Sequence, residues 1–160
     1  MKLKLTLCMI LMALGLFLVG GKPAEAAEVW QASYWNNRSM WGTPVITRSE
    51  SGLNHSWGDG SPDEEIGTDD FSARWVTTTR FSSGIYRFYA TADDGMRVFV
   101  DGEELIDIWY ESQEHIVNAD VYLDDGLHEI KVEYFEGGGK ATAKVRWVNV
   151  DNNVLSLIHI

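Results

Sequence analysis

After about residue 28, the apolar positions of this chain fall at alternate places in short runs, and the three-and-four spacing of an amphipathic helix never develops. The clearest run is Leu127–Phe135. There His128, Ile130, Val132 and Tyr134 alternate with Glu129, Lys131 and Glu133, which predicts a strand with one face buried and one in water. The same reading places strands near Val29–Tyr34, Val45–Arg48, Ser72–Phe81, Gly84–Ala92, Met96–Val100, Glu104–Trp109, Ile116–Leu123, Leu127–Glu136 and Thr142–Asn149. Asp101-Gly102 and Asp125-Gly126 are expected to supply the positive φ of tight hairpins, and Ser83-Gly84 does so more weakly. The stretch from Asn36 to Asp70 lacks periodicity and reads as a long ordered loop, packed through Trp41 and Trp57. The fold class expected is all-β, an antiparallel sandwich or barrel with Phe88, Val98, Val100, Ile130, Val132 and Trp147 in the core.

The two ends read differently from the middle. Lys2 and Lys4, an apolar run from Leu5 to Val19, and Ala24-Glu25-Ala26-Ala27 have the order of a secretory signal peptide spanning residues 1–26. The run is shorter than the roughly 20 residues a spanning helix needs, so no membrane attachment is expected after cleavage. The only cysteine, Cys8, would leave with the signal, and the mature domain, residues 27–150, would rest on its core alone. Roughly 130 residues suffice for one domain that buries about two-thirds of its unfolded surface. Residues 151–160 form a tail. Leu155-Ser156-Leu157-Ile158-His159-Ile160 is what the codons CTG-TCT-CTT-ATA-CAC-ATC encode, which resembles a transposon-end adapter from sequencing libraries. These six residues are expected to be an artefact of a truncated gene, and the domain to be a monomeric part of a longer chain.

A net charge of −11 argues against nucleic acid and anionic membrane as partners and favours cations. Within that acidity, Asp93-Asp94-Gly95 stands out. Adjacent carboxylates in a turn repel, and either solvent or a hard, oxygen-seeking cation such as calcium relieves the repulsion. Seven tryptophans are many for this length, and an exposed aromatic ring can pack against the C–H face of a sugar. Trp30, Trp75 and Trp147 fall inside predicted strands and read as packing residues, which leaves Trp57, Trp109 and Tyr110 as ligand-binding candidates. Asp59–Glu65 lacks the glycine of a helix-loop-helix calcium loop and reads as a solvated acidic loop. Asn37-Arg38-Ser39 and Asn54-His55-Ser56 are glycosylation sequons. No nucleophile elbow, zinc triad or phosphate loop occurs, and Glu133, expected to face water, makes a poor partner to Glu136 for glycoside hydrolysis. The chain is expected not to be an enzyme.

Four stretches taken in order resemble the PA-fourteen family of β-sandwich domains, found in anthrax protective antigen, flocculins, adhesins and glycosidases. They are Trp30–Asn37, Asp69–Trp75, Asp93–Gly102 with Leu105–Trp109, and Gly126–Glu136 followed by Ala141 and Trp147. For its carbohydrate-binding members, the resemblance implies two consecutive aspartates joined by a cis peptide bond, holding a calcium ion whose shell sugar hydroxyls complete. Asp93 and Asp94 stand at those positions. A further ligand is implied from a late loop, here Glu136-Gly137-Gly138-Gly139-Lys140, where Glu136 replaces the usual amide and Gly137 and Gly138 offer backbone carbonyls. The resulting expectation is a secreted, calcium-dependent carbohydrate-binding module with a glycan or polysaccharide partner. The alternative is a non-catalytic structural or protein-interaction domain, because the toxin's own copy does not bind sugar. A part in a glycoside hydrolase ranks third.

Overall fold

A computed structural model describes residues 29–151, and the expected signal peptide and the adapter-like hexapeptide lie outside them. Ten strands make up the domain: β1 (Trp30–Trp35), β2 (Ile46–Glu50), β3 (Asn54–Gly58), β4 (Phe71–Phe81), β5 (Gly84–Asp93), β6 (Gly95–Val100), β7 (Glu103–Ile108), β8 (His115–Leu123), β9 (Gly126–Glu136) and β10 (Ala141–Asn149). They form two antiparallel sheets, ordered β2-β1-β4-β9-β6-β7 and β3-β10-β5-β8. The chain changes sheet at most connections, so apart from the β1–β2 and β6–β7 hairpins the paired strands are not consecutive in sequence.

Period-two alternation places the core as expected on β5 and β9, where Phe88, Ile130, Val132 and Tyr134 are fully buried, and Val98 and Val100 of β6 join them. Two aromatic clusters fill the space between the sheets. Phe81, Tyr86, Phe88 and Trp30 gather around Trp147 in one, with Phe88 and Trp147 ring centres 5.2 Å apart. Tyr34, His55, Trp57, Phe71, Trp75 and Tyr134 make up the other. Between β6 and β7, Asp101 (φ 51°) and Gly102 (φ 85°) both take the left-handed conformation that a tight hairpin requires. The Asp101 carboxylate then accepts the Glu129 amide at 2.9 Å, tying that hairpin to β9.

Four sequence expectations are corrected. Asn54–Gly58 is a strand inside the segment read as loop, because His55 and Trp57 point inward and stack with each other at 4.9 Å. Trp147 is half-buried and packs against the core from its margin, since β3 ends before reaching it. Gly126 opens β9 without positive φ, so the turn before it needs no left-handed residue there. Glu133 is buried although it lies on the outer face of the large sheet. Arg74 at 2.9 Å and Lys131 at 3.7 Å cover it, with Arg74 also lying over Trp35.

Candidate metal centre

Asp94 is the single residue between β5 of the small sheet and β6 of the large one, so the chain passes from sheet to sheet at Asp93-Asp94, through a cis peptide bond. Gly95 follows because nothing larger fits: a Cβ there would lie inside the ring of Phe135. The β6–β9 register pairs Gly95 with Phe135, which brings the next residue of β9, Glu136, beside Asp94. The topology thus brings Glu136 to an aspartate pair more than forty positions earlier in sequence, and one oxygen from each of the three carboxylates lies within 4.8 Å of the others.

The surrounding bonds fix two of these groups and leave one atom unmatched. Asp94 Oδ1 accepts the Ser112 amide at 2.8 Å, and Oδ2 accepts the Gly137 amide at 2.9 Å. The Tyr134 hydroxyl lies between Glu136 Oε2, at 2.9 Å, and the Asp93 carbonyl oxygen. Glu136 is fully buried and its Oε1 has no hydrogen-bond partner among the described residues. A buried acceptor in that state costs about 1–3 kcal/mol or more if charged. Burial, with the neighbouring charges of Asp94 and Asp93, pushes Glu136 up to about 7 against the hydrogen bond from Tyr134. Burial and Asp94 likewise raise Asp93.

These residues fit a calcium ion. Oxygens bound to one calcium at 2.3–2.6 Å lie up to about 5 Å apart, which accommodates the observed spacing, and the orphaned Glu136 Oε1 is a donor atom of the hard type calcium selects. Asp93, Asp94 and Glu136 would hold it. Beside them opens a depression of about 730 Å³, lined by Asp93, Asp94, the 111–114 loop, Gly138 and Lys140.

The expected ligand-binding residues do not all gather there. Gly137 reaches the site through its amide, and Gly138 lines the depression. Tyr110, 54 % exposed, stacks on His115 next to the 111–114 loop. Trp109 is occupied elsewhere, edge-on to Phe135 at 4.8 Å with the Arg97 guanidinium over its ring at 4.5 Å. Trp57 lies behind the site in the second aromatic cluster, 5.9 Å from Tyr134.

Sequence reasoning did not find Ser112, Tyr134 or Arg38. Arg38 donates to the Gly137 carbonyl at 2.9 Å and to Asp70 at 2.6 Å, and also bonds Glu111, clasping three loops around the depression. For Tyr134 the signal was the i, i+2 spacing to Glu136 on one strand face. Nothing local in the sequence marks Arg38.

The chain belongs to the PA14 domain family, whose model matches residues 28–154. It is 35 % identical over 120 residues to the anti-sigma-I factor RsgI3 of Acetivibrio thermocellus, a match that covers 73 % of this chain and 18 % of that protein. A solved structure of an anti-sigma factor domain-containing protein is similar at 32 % identity with a TM-score of 0.71, over 76 % of this chain and 42 % of the other. The PA14 sugar-binding domain from an RTX adhesin shares the fold at 16 % identity, with a TM-score of 0.56, over 78 % of this chain and 91 % of the other. The chain therefore spans less than a fifth of its curated relative.

Proposed function

We propose that this chain is a non-catalytic recognition domain of a longer regulatory protein at the cell surface, and that Asp93, Asp94 and Glu136 hold a calcium ion that organises its loops. The observation that carries the calcium site is the buried, unpartnered Glu136 Oε1 facing two aspartates. The likeness to anti-sigma factor proteins supports a structural or interaction role more than that of a lectin. A second reading, calcium-dependent glycan binding, is favoured by the depression beside the carboxylates. Its lining includes backbone and side-chain groups suited to hydroxyls, and an ion held by three carboxylates keeps coordination positions open.

Calcium at one hundred times its dissociation constant is expected to stabilise the chain by about 2.7 kcal/mol through preferential binding to the native state. Thermal unfolding with added calcium and with chelator measures this, and Asp93→Asn should remove the shift. No shift in the native protein would overturn the calcium site. A glycan array run with calcium and with chelator then separates the readings. Binding lost on chelation supports the sugar reading, whereas a calcium shift without any bound glycan supports the interaction domain.

A further inference from the structure

Among the described residues, every arginine and lysine outside positions 140–146 pairs with a carboxylate, while Lys140, Lys144 and Arg146 do not. Lys140 borders the depression already described. The other two stand on the outer face of β10 at i and i+2, above a separate cleft of about 330 Å³ that Leu53, Asn54, Tyr89 and Thr91 also line. Arg146 sits over Tyr89, with its guanidinium carbon 3.9 Å from the ring centre. Arg146 is exposed, which leaves its guanidinium open to a ligand. In so acidic a domain, two cations without partners on one face are a specific departure from the surface around them.

The strand beside them is incomplete. β3 pairs with β10 only as far as Asn54 opposite Lys144, with one further bond from the Val145 amide to the Leu53 carbonyl. From Arg146 to Asn149, among the described residues, β10 runs on as an open edge, bonded only to β5. A second depression of about 320 Å³ adjoins this edge and shares Leu53, Asn54, Val145 and Arg146 with the first. Trp30 and Trp147 line it, and the Trp30 indole N–H is buried with no acceptor among the described residues. An open strand edge and a hollow beside it, lined in part by Leu53, Trp30 and Trp147, are the two features by which a sheet captures an extended peptide, and the two cations add a charge preference to them.

We propose that this edge is a docking site for an extended acidic segment of a partner protein, which adds alongside β10 where β3 stops. Its outward carboxylates meet Arg146 and Lys144, and its inward side chain fills the hollow at Trp30 and Trp147. A peptide is favoured over an acidic polysaccharide for two reasons. The open edge offers alternating amides and carbonyls that match another backbone, and the Tyr89 ring, which a sugar face would stack on, is covered by Arg146. The site is separate from the three carboxylates and does not depend on calcium.

The test titrates the intact chain, in chelator and at low salt, with a short synthetic peptide alternating glutamate and valine. A peptide alternating lysine and valine and a uronic-acid polysaccharide serve as comparisons. The expected result is binding of the glutamate peptide alone, amide NMR shifts centred on residues 146–149, and roughly tenfold weaker binding in Arg146→Glu. Lys144→Glu should act in the same direction. Both side chains are at the surface, and an unchanged melting temperature and calcium response in each variant distinguish this site from the carboxylate centre. Absence of peptide binding, binding indifferent to both variants, or capture of the polysaccharide in place of the peptide would each overturn the proposal.

Discussion

Replacing Glu50 with alanine is expected to destabilise the domain by about 3–5 kcal/mol, the cost of breaking a part-buried ionic cluster that also satisfies the fully buried Tyr34 and Trp75. Glu50 closes β2, and its two oxygens take four donors. Oε1 accepts the Tyr34 hydroxyl and Arg48 Nε, each at 2.7 Å, while Oε2 accepts the Trp75 indole and contacts His55 Nε2, each at 2.9 Å. Because Tyr34 and Trp75 belong to the large sheet and His55 to the small one, the carboxylate fastens the two layers together. Alanine would strand the buried indole and hydroxyl as well as Arg48. Burial alone would raise the pKa of Glu50, but the hydrogen bonds from His55, Tyr34, Arg48 and Trp75 outweigh it and bring the value down to about 2. A depressed carboxylate stabilises the fold above its unfolded value, near 4.5, and loses that contribution as pH falls towards 2. The native protein should lose about 3 kcal/mol across that window from this group, and Glu50→Ala should show a correspondingly flatter dependence. Urea midpoints at pH 7 and at pH 2 measure both effects. Equal losses in the two proteins would remove Glu50 as the source.

Phe88→Ala is expected to cost about 3–5 kcal/mol for a different reason, the cavity left in a packed core. Phe88 is fully buried at the centre of β5, between Ala119 and Trp147 in register, with its ring 6.4 Å from Phe81. Glycine-free strands on both sides of it resist collapse into the space. The site lies in the aromatic cluster away from Asp93, so the calcium response should survive in the variant even as its urea midpoint falls. A loss under 1 kcal/mol would mean that Trp147, only half-buried, swings in to fill the space. That partial burial also lowers what truncating Trp147 itself should cost, relative to a residue enclosed on all sides.

Most of the architecture was legible because alternation and turn chemistry are local. Asp101-Gly102 announces its hairpin without help, and Leu127–Glu136 shows its buried face directly. β3 escaped because Asn54-His55-Ser56-Trp57-Gly58 contains no β-branched residue, and its two inward rings become strand residues only when Trp75 and Tyr134 are there to pack on. Glu133 escaped for a related reason. Alternation assigned its face correctly, but coverage by Arg74 depends on the β4–β9 register, which no short window contains. At the candidate centre the aspartate pair and Glu136 were visible through the family resemblance, and the structure brings the three together. The ring candidates fared unevenly, since Trp109 and Trp57 are engaged by Arg97 and Tyr134 while Tyr110 remains exposed. An aromatic side chain after a strand reads the same whether it faces solvent or a neighbour.

The clasp made by Arg38 bears on the order in which the domain assembles. Its three partners come from the segments around residues 70, 111 and 137, and the carboxylates it surrounds come from β5, β9 and the link to β6. No hairpin contains all of these pieces, and the fragment that holds Asp93, Asp94 and Glu111 still lacks Arg38 and Glu136, so the centre is complete only once both sheets have docked. An ion held there would therefore act chiefly as a lock on the finished molecule, slowing its opening while leaving the speed of its folding almost untouched.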